Sequence, residues 1–187
     1  MAPAPRSEHE RGRGLNPIRA AVLTISDRSF RGEREDRGGP AVVEALRRLL
    51  GGAVGVQVVE TRIVPDEKDD IAWNLKRLAD TNTADLVVTT GGTGLSPRDV
   101  TPQATLSVID YQVPGLAEQM RAETRVAVAM AVLSRQVVGV RERTLIVNLP
   151  GSPRGAVKCL EAIAGVLPHA VASLRDEVLH PAMGETV

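Results

Sequence analysis

Short apolar runs rich in β-branched residues alternate along this chain with segments whose apolar residues recur at helical spacing. The runs predict strands at residues 18–25, 54–64, 84–89, 137–140 and 144–149. The segments predict helices at residues 40–50, 68–80, 101–109, 115–125 and 156–174, the last kinked or divided at Pro168. Such alternation is typical of an α/β layered domain with a mostly parallel sheet.

The length of 187 residues suits one domain, and 43% apolar residues suffice for a sizeable core. We predict this domain over residues 18–175, between a disordered N-terminal tail (1–17) and a loose C-terminal tail (176–187). The first residues lack the apolar segment of a secretory signal, and no apolar run approaches the roughly 20 residues of a membrane span. The expected location is the cytoplasm, with no membrane partner.

Charge and aromatic content argue against nucleic acid as a partner. Lysine plus arginine and aspartate plus glutamate number 23 each, so no overall positive field is expected. Phe30, Trp73 and Tyr111 are the three aromatic residues, too few for a protein that stacks single-stranded bases. Cys159 is the only cysteine, which excludes a disulfide framework and a cysteine metal site.

The third predicted strand runs into a glycine-rich turn, Thr-Thr-Gly-Gly-Thr-Gly at residues 89–94. Its glycines remove Cβ atoms where the oxygens of a ligand could approach backbone N–H groups. Thr101 and Pro102 are typical of a helix start, which adds free N–H donors. The turn fits neither the P-loop nor the dinucleotide fingerprint, so it predicts an anion site of another type. A plain strand-to-helix connection is the alternative.

Acidic residues follow the predicted strands. Asp27 follows the first, Asp66 the second, and Asp99 lies in the loop after the third. In parallel sheets the carboxyl ends of the strands meet at one edge, where ligands bind. A carboxylate beside phosphates needs a cation between them, and Mg²⁺ is the usual one. We therefore predict a magnesium–nucleotide site at this edge, with the loop at residues 150–155 also facing it.

Each of these residues also has an ordinary structural explanation. Asp66 is placed to cap the helix that follows it, and Asp99 to cap locally or to pair with Arg98. Asp27 and Ser152 are typical turn residues, and an arginine in a loop is commonly a solvated charge. Capping does not exclude a second role in binding.

Seven short motifs follow one another along residues 18–174. They are Thr-Ile-Ser-Asp (24–27), Val-Pro-Asp-Glu (64–67), Thr-Thr-Gly-Gly-Thr-Gly (89–94), Arg-Asp-Val-Thr-Pro (98–102), Pro-Gly-Leu-Ala-Glu-Gln-Met-Arg (114–121), Leu-Ser-Arg (133–135) and Asn-Leu-Pro-Gly-Ser-Pro (148–153). In this order they resemble the molybdopterin adenylyltransferases of molybdenum-cofactor synthesis, the Mog/MoaB group that is also fused in gephyrin-like proteins. The resemblance implies a three-layer αβα domain.

The same resemblance implies that the terminal phosphate of molybdopterin attacks the α-phosphorus of ATP, giving adenylyl-molybdopterin and pyrophosphate with Mg²⁺ required. By motif position, Asp66 and Asp99 would be the catalytic, magnesium-holding residues. The implied binding residues are Ser26, Asp27 and Arg98, then Gly91, Gly92, Thr93 and Gly94 around the nucleotide phosphates, and Ser134, Pro150, Gly151, Ser152 and Pro153 on the pterin side.

Members of this group form trimers, sometimes paired into hexamers, so the resemblance also implies a homo-oligomer. Two other functions remain open at this point. One is a non-catalytic MoaB-type protein that binds molybdopterin or a nucleotide. The other is an oligomeric scaffold.

Overall fold

A six-stranded sheet forms the centre of the computed structural model, which describes residues 16–52 and 54–176. Its strands are β1 (Ile18–Ile25), β2 (Val56–Val64), β3 (Leu86–Thr90), β4 (Tyr111–Gln112), β5 (Val138–Arg141) and β6 (Thr144–Leu149). Their order across the sheet is β2-β1-β3-β6-β5-β4. The strands β2, β1, β3 and β6 run parallel, whereas β5 is antiparallel to β6 and to β4. The predicted mostly parallel sheet is confirmed.

Seven α-helices connect and cover the strands among the described residues. They are α1 (Asp27–Phe30), α2 (Gly38–Leu50), α3 (Lys68–Asp80), α4 (Thr101–Leu106), α5 (Pro114–Thr124), α6 (Pro153–Ile163) and α7 (Leu167–Leu174), with a 3-10 helix at Ala129–Leu133. Two short elements were not among the predicted helices and strands. One is α1, which follows β1 directly because the Ser26 hydroxyl caps it by accepting the Ser29 N–H at 3.2 Å. The two-residue β4 was not predicted.

Two hydrophobic cores cover the two faces of the sheet. Along β1, Val22 faces the core formed with α2, α5, α6 and α7, whereas its neighbour Leu23 faces the core formed with α3 and α4. This alternation follows from the two-residue period of a strand. Every residue of β3 is buried, as expected of a strand covered on both sides. The three-layer αβα architecture is therefore confirmed.

The predicted helix 156–174 is divided as Pro168 suggested. The structure has α6 and α7 instead, bent by 69° at the break between them. No single helix within residues 16–52 and 54–176 is long and apolar enough to cross a membrane; α6 and α7 together meet that criterion only by length and composition. Leu160 and Val171 of this pair pack in the core against the sheet.

The limits of the domain, 18–175, stay a prediction. Residues 1–15 and 177–187, which make up most of the two predicted tails, lie outside the described residues. The guanidinium of Arg175 donates hydrogen bonds to the carbonyl oxygens of Asn16 and Pro17 at 2.9 and 2.8 Å. The first and last described segments are therefore held together.

A buried carboxylate joins the starts of two central strands to the end of α7. Asp85 is 2% exposed and accepts the N–H of Arg19 at 2.8 Å, the Arg19 guanidinium at 2.6 Å and the Arg175 guanidinium. Burial alone raises the pKa of Asp85, but the hydrogen bonds from the two arginines outweigh it and lower the pKa to about 2.

We expect Asp85→Asn to lower the free energy of unfolding at neutral pH by about 2–4 kcal/mol, because both arginines lose their charged partner. The folded pKa of Asp85, about 2, lies below the pKa of about 3.9 for an unfolded aspartate. The contribution of Asp85 to the free energy of unfolding is therefore complete above the unfolded pKa, and it is lost as pH falls through the folded pKa. Denaturant unfolding between pH 2 and 7 measures both effects.

Asp176→Asn provides the matched control. Asp176 pairs with Arg143 at 2.8 Å, but both side chains are exposed, at 79% and 64%. Such pairs contribute little in water, and asparagine tolerates the positive φ of 59° at this position. An equal loss of stability in the two variants would contradict the special role of Asp85.

Candidate active site at the carboxyl edge of the sheet

The carboxyl ends of four parallel strands bring the predicted site segments together. Asp27 follows β1, Asp66 follows β2, the glycine turn 91–94 follows β3, and the loop 150–153 follows β6. The Gly91 N–H donates to the carbonyl oxygen of the last residue of β6 at 3.1 Å, which ties two of these segments directly. The expected convergence on one edge is therefore observed.

Asp27 and Asp66 bind each other reciprocally. The Asp27 N–H donates to Asp66 Oδ2 at 2.7 Å, and the Asp66 N–H donates to Asp27 Oδ1 at 3.0 Å. Each carboxylate thus satisfies a backbone donor of the other loop, and the loops after β1 and β2 are locked together. The first turn of α1 places Asp27, because Ser26 caps that helix.

The glycine turn needs residues without side chains at two positions. Gly91 and Gly92 have φ values of 114° and 62°, in the left-handed region. A Cβ on Gly92 would collide with Thr101 Oγ1 and would lie 3.3 Å from Asp66 Oδ1. A Cβ on Gly151 would lie 3.3 Å from the Cα of Gly91, so the two glycine loops also touch. Backbone therefore approaches backbone closely at this point of the site.

The turn also exposes backbone donors. The Gly91 N–H is bonded to β6, but Gly91 also lines the polar cleft, so its contact with a ligand stays a prediction. The N–H groups of Gly92, Thr93 and Gly94 donate to no other residue within 16–52 and 54–176. Three successive free donors make the end of β3 suitable for an anion.

Asp99 is held by the loop that contains it. Its Oδ2 accepts the Ser96 N–H at 2.9 Å, which confirms the local capping role foreseen as an alternative. The guanidinium of Arg135 donates to the carbonyl oxygens of Gly94, at 2.7 Å, and of Asp99. Arg135 was not selected from the sequence, although the Leu-Ser-Arg motif contains it. It pins the loop between the glycine turn and α4.

Two adjacent clefts open at this edge. The first, which we call the polar cleft, has a volume of about 410 Å³ and is lined mainly by the loops after β1, β2 and β3 together with Arg34, Glu35, Asp36 and Arg37. The second, the apolar cleft, has a volume of about 620 Å³ and is lined by the 3-10 helix, α6 and their neighbouring loops. Both clefts share four lining residues, Gly92, Asp99, Gly151 and Ser152.

Asp66 and Asp99 both line the polar cleft, so two carboxylates from different loops face one space. Burial raises the pKa of Asp66, and the neighbouring carboxylates of Asp27 and Asp99 raise it further. A cation in this cleft would relieve the crowding of negative charge.

No group of three or more His, Cys, Asp or Glu side chains in the described part of the chain is arranged to enclose a metal. Two carboxylates facing one cleft fit Mg²⁺, which takes its remaining ligands from phosphate oxygens and water.

Arg98 is paired with two acidic side chains and lies outside both sets of lining residues. Its guanidinium donates to Asp27 Oδ2 at 2.7 Å and to Glu67 Oε1 at 2.9 Å, and it is 55% exposed. Neither Arg98 nor Asp27 lines either cleft, so the structure gives them a supporting position, and direct contact with a ligand stays a prediction.

The arginines that do line the polar cleft are Arg34 and Arg37. They belong to a charged loop without a motif, which is why the sequence did not single them out.

The residues predicted on the pterin side divide between the clefts. Ser134, Pro150, Gly151 and Ser152 line the apolar cleft, whereas Pro153 lines the polar cleft. Ser152 also caps α6 by accepting the N–H of residue 155 at 3.1 Å, so its structural role is that of a helix cap, beside its place in both clefts. Ser26 lines the polar cleft, and Thr93 and Gly94 line the apolar cleft.

The fold and these clefts define a three-layer α/β protein with a ligand site at the carboxyl edge of its sheet. The chain belongs to the family described as the probable molybdopterin binding domain, whose family model matches residues 21–169. It is 41% identical over 157 residues to a molybdopterin adenylyltransferase of Helicobacter pylori strain J99, covering 84% of this chain and 88% of that protein.

Two further proteins are similar over most of their length. A molybdopterin adenylyltransferase of Escherichia coli strain K12 is 44% identical over 149 residues, which cover 80% of this chain and 75% of that protein. The crystal structure of the molybdopterin biosynthesis enzyme MoaB from Thermus thermophilus superposes with a TM-score of 0.78 at 49% identity, covering 85% of this chain and 97% of that one.

The substitution Gly92→Ala tests the close approach at the glycine turn. We expect it to lower the free energy of unfolding by about 1–3 kcal/mol, because alanine must adopt a positive φ while its Cβ meets the Thr101 hydroxyl. Gly115→Ala is the control, since a Cβ at that position meets nothing within 4 Å. Denaturant unfolding of both variants measures the difference; equal stabilities would contradict the steric constraint.

Proposed function

We propose that this chain is a nucleotidyltransferase of molybdenum cofactor biosynthesis, a molybdopterin adenylyltransferase that joins the adenylyl group of ATP to the terminal phosphate of molybdopterin and releases pyrophosphate. The observation that carries this proposal is that Asp66 and Asp99, from separate loops, face one polar cleft. Relatives at 41–44% identity over most of the chain bear this enzyme name, which favours the enzyme over the non-catalytic alternative.

The two clefts suit the two substrates. The polar cleft, with its carboxylates and arginines, would take the magnesium-bound phosphates of ATP. The apolar cleft would take the pterin, and Arg154 and Lys158 on its wall would attract the phosphate of molybdopterin. The substrates would meet where the clefts share Gly92 and Asp99, which lie between the two spaces.

The reaction needs alignment more than acid–base chemistry. A phosphate nucleophile is already an anion, so neither Asp66 nor Asp99 is required to remove a proton. Their proposed task is to hold Mg²⁺, which when bound neutralises the charge on the phosphate oxygens. The free N–H groups of the glycine turn would fix phosphate oxygens at the meeting point of the clefts.

We further propose that the protein acts in the cytoplasm as a homo-oligomer, a trimer or a hexamer. Support comes from apolar side chains that remain exposed around the 3-10 helix, including Val126 at 85% and Met130 at 65%. Several exposed apolar side chains in one segment are typical of a contact between subunits. Light scattering of the purified protein measures the assembly directly.

Asp66→Asn and Asp99→Asn are each expected to lower turnover by about 100-fold or more, because each removes a charge that would position Mg²⁺ against the phosphates. Turnover is measured as pyrophosphate released from ATP in the presence of Mg²⁺ and molybdopterin. Folding should survive in both variants, since asparagine keeps the shape of the side chain.

Asp69→Asn is the matched control, because Asp69 is exposed at the start of α3 and lies outside both clefts. It should retain full turnover. Near-normal activity of a folded Asp99→Asn protein would refute the metal-holding role. A wild-type protein that releases no pyrophosphate from ATP and molybdopterin would refute the enzyme itself, and capture of a protein partner independent of ATP would then favour a scaffold.

A further inference from the structure

One exposed arginine on the wall of the polar cleft has no acidic partner. Arg34 lies in the loop between α1 and α2 and lines that cleft. Its guanidinium makes no hydrogen bond or ion pair with any residue within 16–52 and 54–176. Arg37, which lines the same cleft, instead pairs with Glu35 at 3.1 Å. Arg34 therefore offers an accessible and uncompensated positive charge to a ligand.

The backbone is anchored on both sides of Arg34. On one side, the Glu33 N–H donates to the carbonyl oxygen of Arg28 at 2.9 Å. On the other side, the Asp36 carboxylate accepts the Thr24 hydroxyl at 2.7 Å and the first two N–H groups of α2 at 2.9 and 3.0 Å. The loop is thus tied to the end of β1 and to the start of α2. A ligand that binds Arg34 has little backbone to order.

The two clefts give the phosphate chain of ATP a direction. They share four lining residues, and beside these the nucleophile from the apolar cleft would reach the α-phosphorus. In phosphoryl transfer the attacking and leaving oxygens lie roughly in line, on opposite sides of the phosphorus. The leaving pyrophosphate would therefore extend away from the shared residues into the polar cleft. Arg34 lines the polar cleft and not the apolar one, so it borders this space.

We infer that the Arg34 guanidinium binds the β- and γ-phosphates of ATP, the part of the nucleotide that leaves in the proposed reaction. This inference rests on the proposed function, which sets the direction of the phosphate chain. A guanidinium presents its N–H donors in a planar fork that matches phosphate oxygens, and it stays charged at neutral pH.

The contact places positive charge where negative charge develops. An oxygen of the terminal phosphate of molybdopterin forms a bond to the α-phosphorus, while the bond from that phosphorus to the bridging oxygen of the β-phosphate breaks. The electron pair of the broken bond leaves with pyrophosphate. Arg34 would balance the charge that this group gains, and Asp66 and Asp99 would act through the cation instead.

ATP and AMP differ by the β- and γ-phosphates alone, so their binding isolates this contact. We expect Arg34→Gln to weaken the binding of ATP by about 10-fold and to leave the binding of AMP unchanged, because charge-assisted hydrogen bonds to phosphate are lost. Isothermal titration calorimetry of the whole chain with each nucleotide, in excess Mg²⁺ and without molybdopterin, measures the dissociation constants. Circular dichroism checks that the variant is folded.

Arg28→Gln is the matched control. Arg28 is an exposed arginine of α1 that lines neither cleft, so this variant removes the same charge from a neighbouring position. It keeps the carbonyl oxygen that accepts the Glu33 N–H. It should bind ATP and AMP as the wild type does. An equal loss of ATP affinity in the two variants would show a general effect of net charge and would overturn the inference.

The inference is also overturned if folded Arg34→Gln protein binds ATP as tightly as the wild type does. The same holds if ATP and AMP lose affinity equally in this variant, or if the wild type binds ATP no more tightly than AMP. Failure of the proposed function is a separate result, the absence of pyrophosphate release from ATP and molybdopterin. A protein that releases pyrophosphate but binds ATP independently of Arg34 would keep its function and lose only this contact.

Discussion

The reciprocal pair of hydrogen bonds between Asp27 and Asp66 is the constraint on which the site depends. It joins the loops after β1 and β2 through two backbone donors, but it also brings two carboxylates together. Arg98 compensates by bridging Asp27 to Glu67, which leaves Asp66 as the less neutralised of the two. The arrangement therefore stabilises the loops while leaving negative charge in the polar cleft, where it can attract a cation.

The wall between the clefts is built mostly from backbone. Gly91 and Gly92 adopt positive φ, and Gly151 packs against the Cα of Gly91. Side chains at these positions would push the loops after β3 and β6 apart. Because Asp99 lines both clefts, ligands in the two clefts would approach one another beside it. A transfer reaction between two bound molecules requires such proximity.

The sequence predicted the features that depend on local periodicity and on parallel strand order. The meeting of Asp66, Asp99 and the glycine turn followed from the rule that parallel strands end at one edge. Features set by contacts between distant residues were not predictable. Arg135 pins the loop around Asp99 across about 40 positions, and the partners of Arg98 come from α1 and from the loop after β2. The helix α1 was not predicted because the sequence after residue 27 is charged and rich in glycine. The Ser26 hydroxyl nevertheless caps a short helix there.

The polar cleft holds a carboxylate that lies close to other carboxylates. Burial raises the pKa of Asp66, and the charges of Asp27 and Asp99 add to that effect. This crowding of charge costs stability in the free protein, and a ligand that supplies positive charge recovers the cost on binding. On the proposed assignment, a cation bound with the ATP phosphates supplies that charge. Selection of a metal-bound nucleotide would thus arise from a charge that the protein alone does not provide, because only a ligand that carries a cation balances the carboxylates.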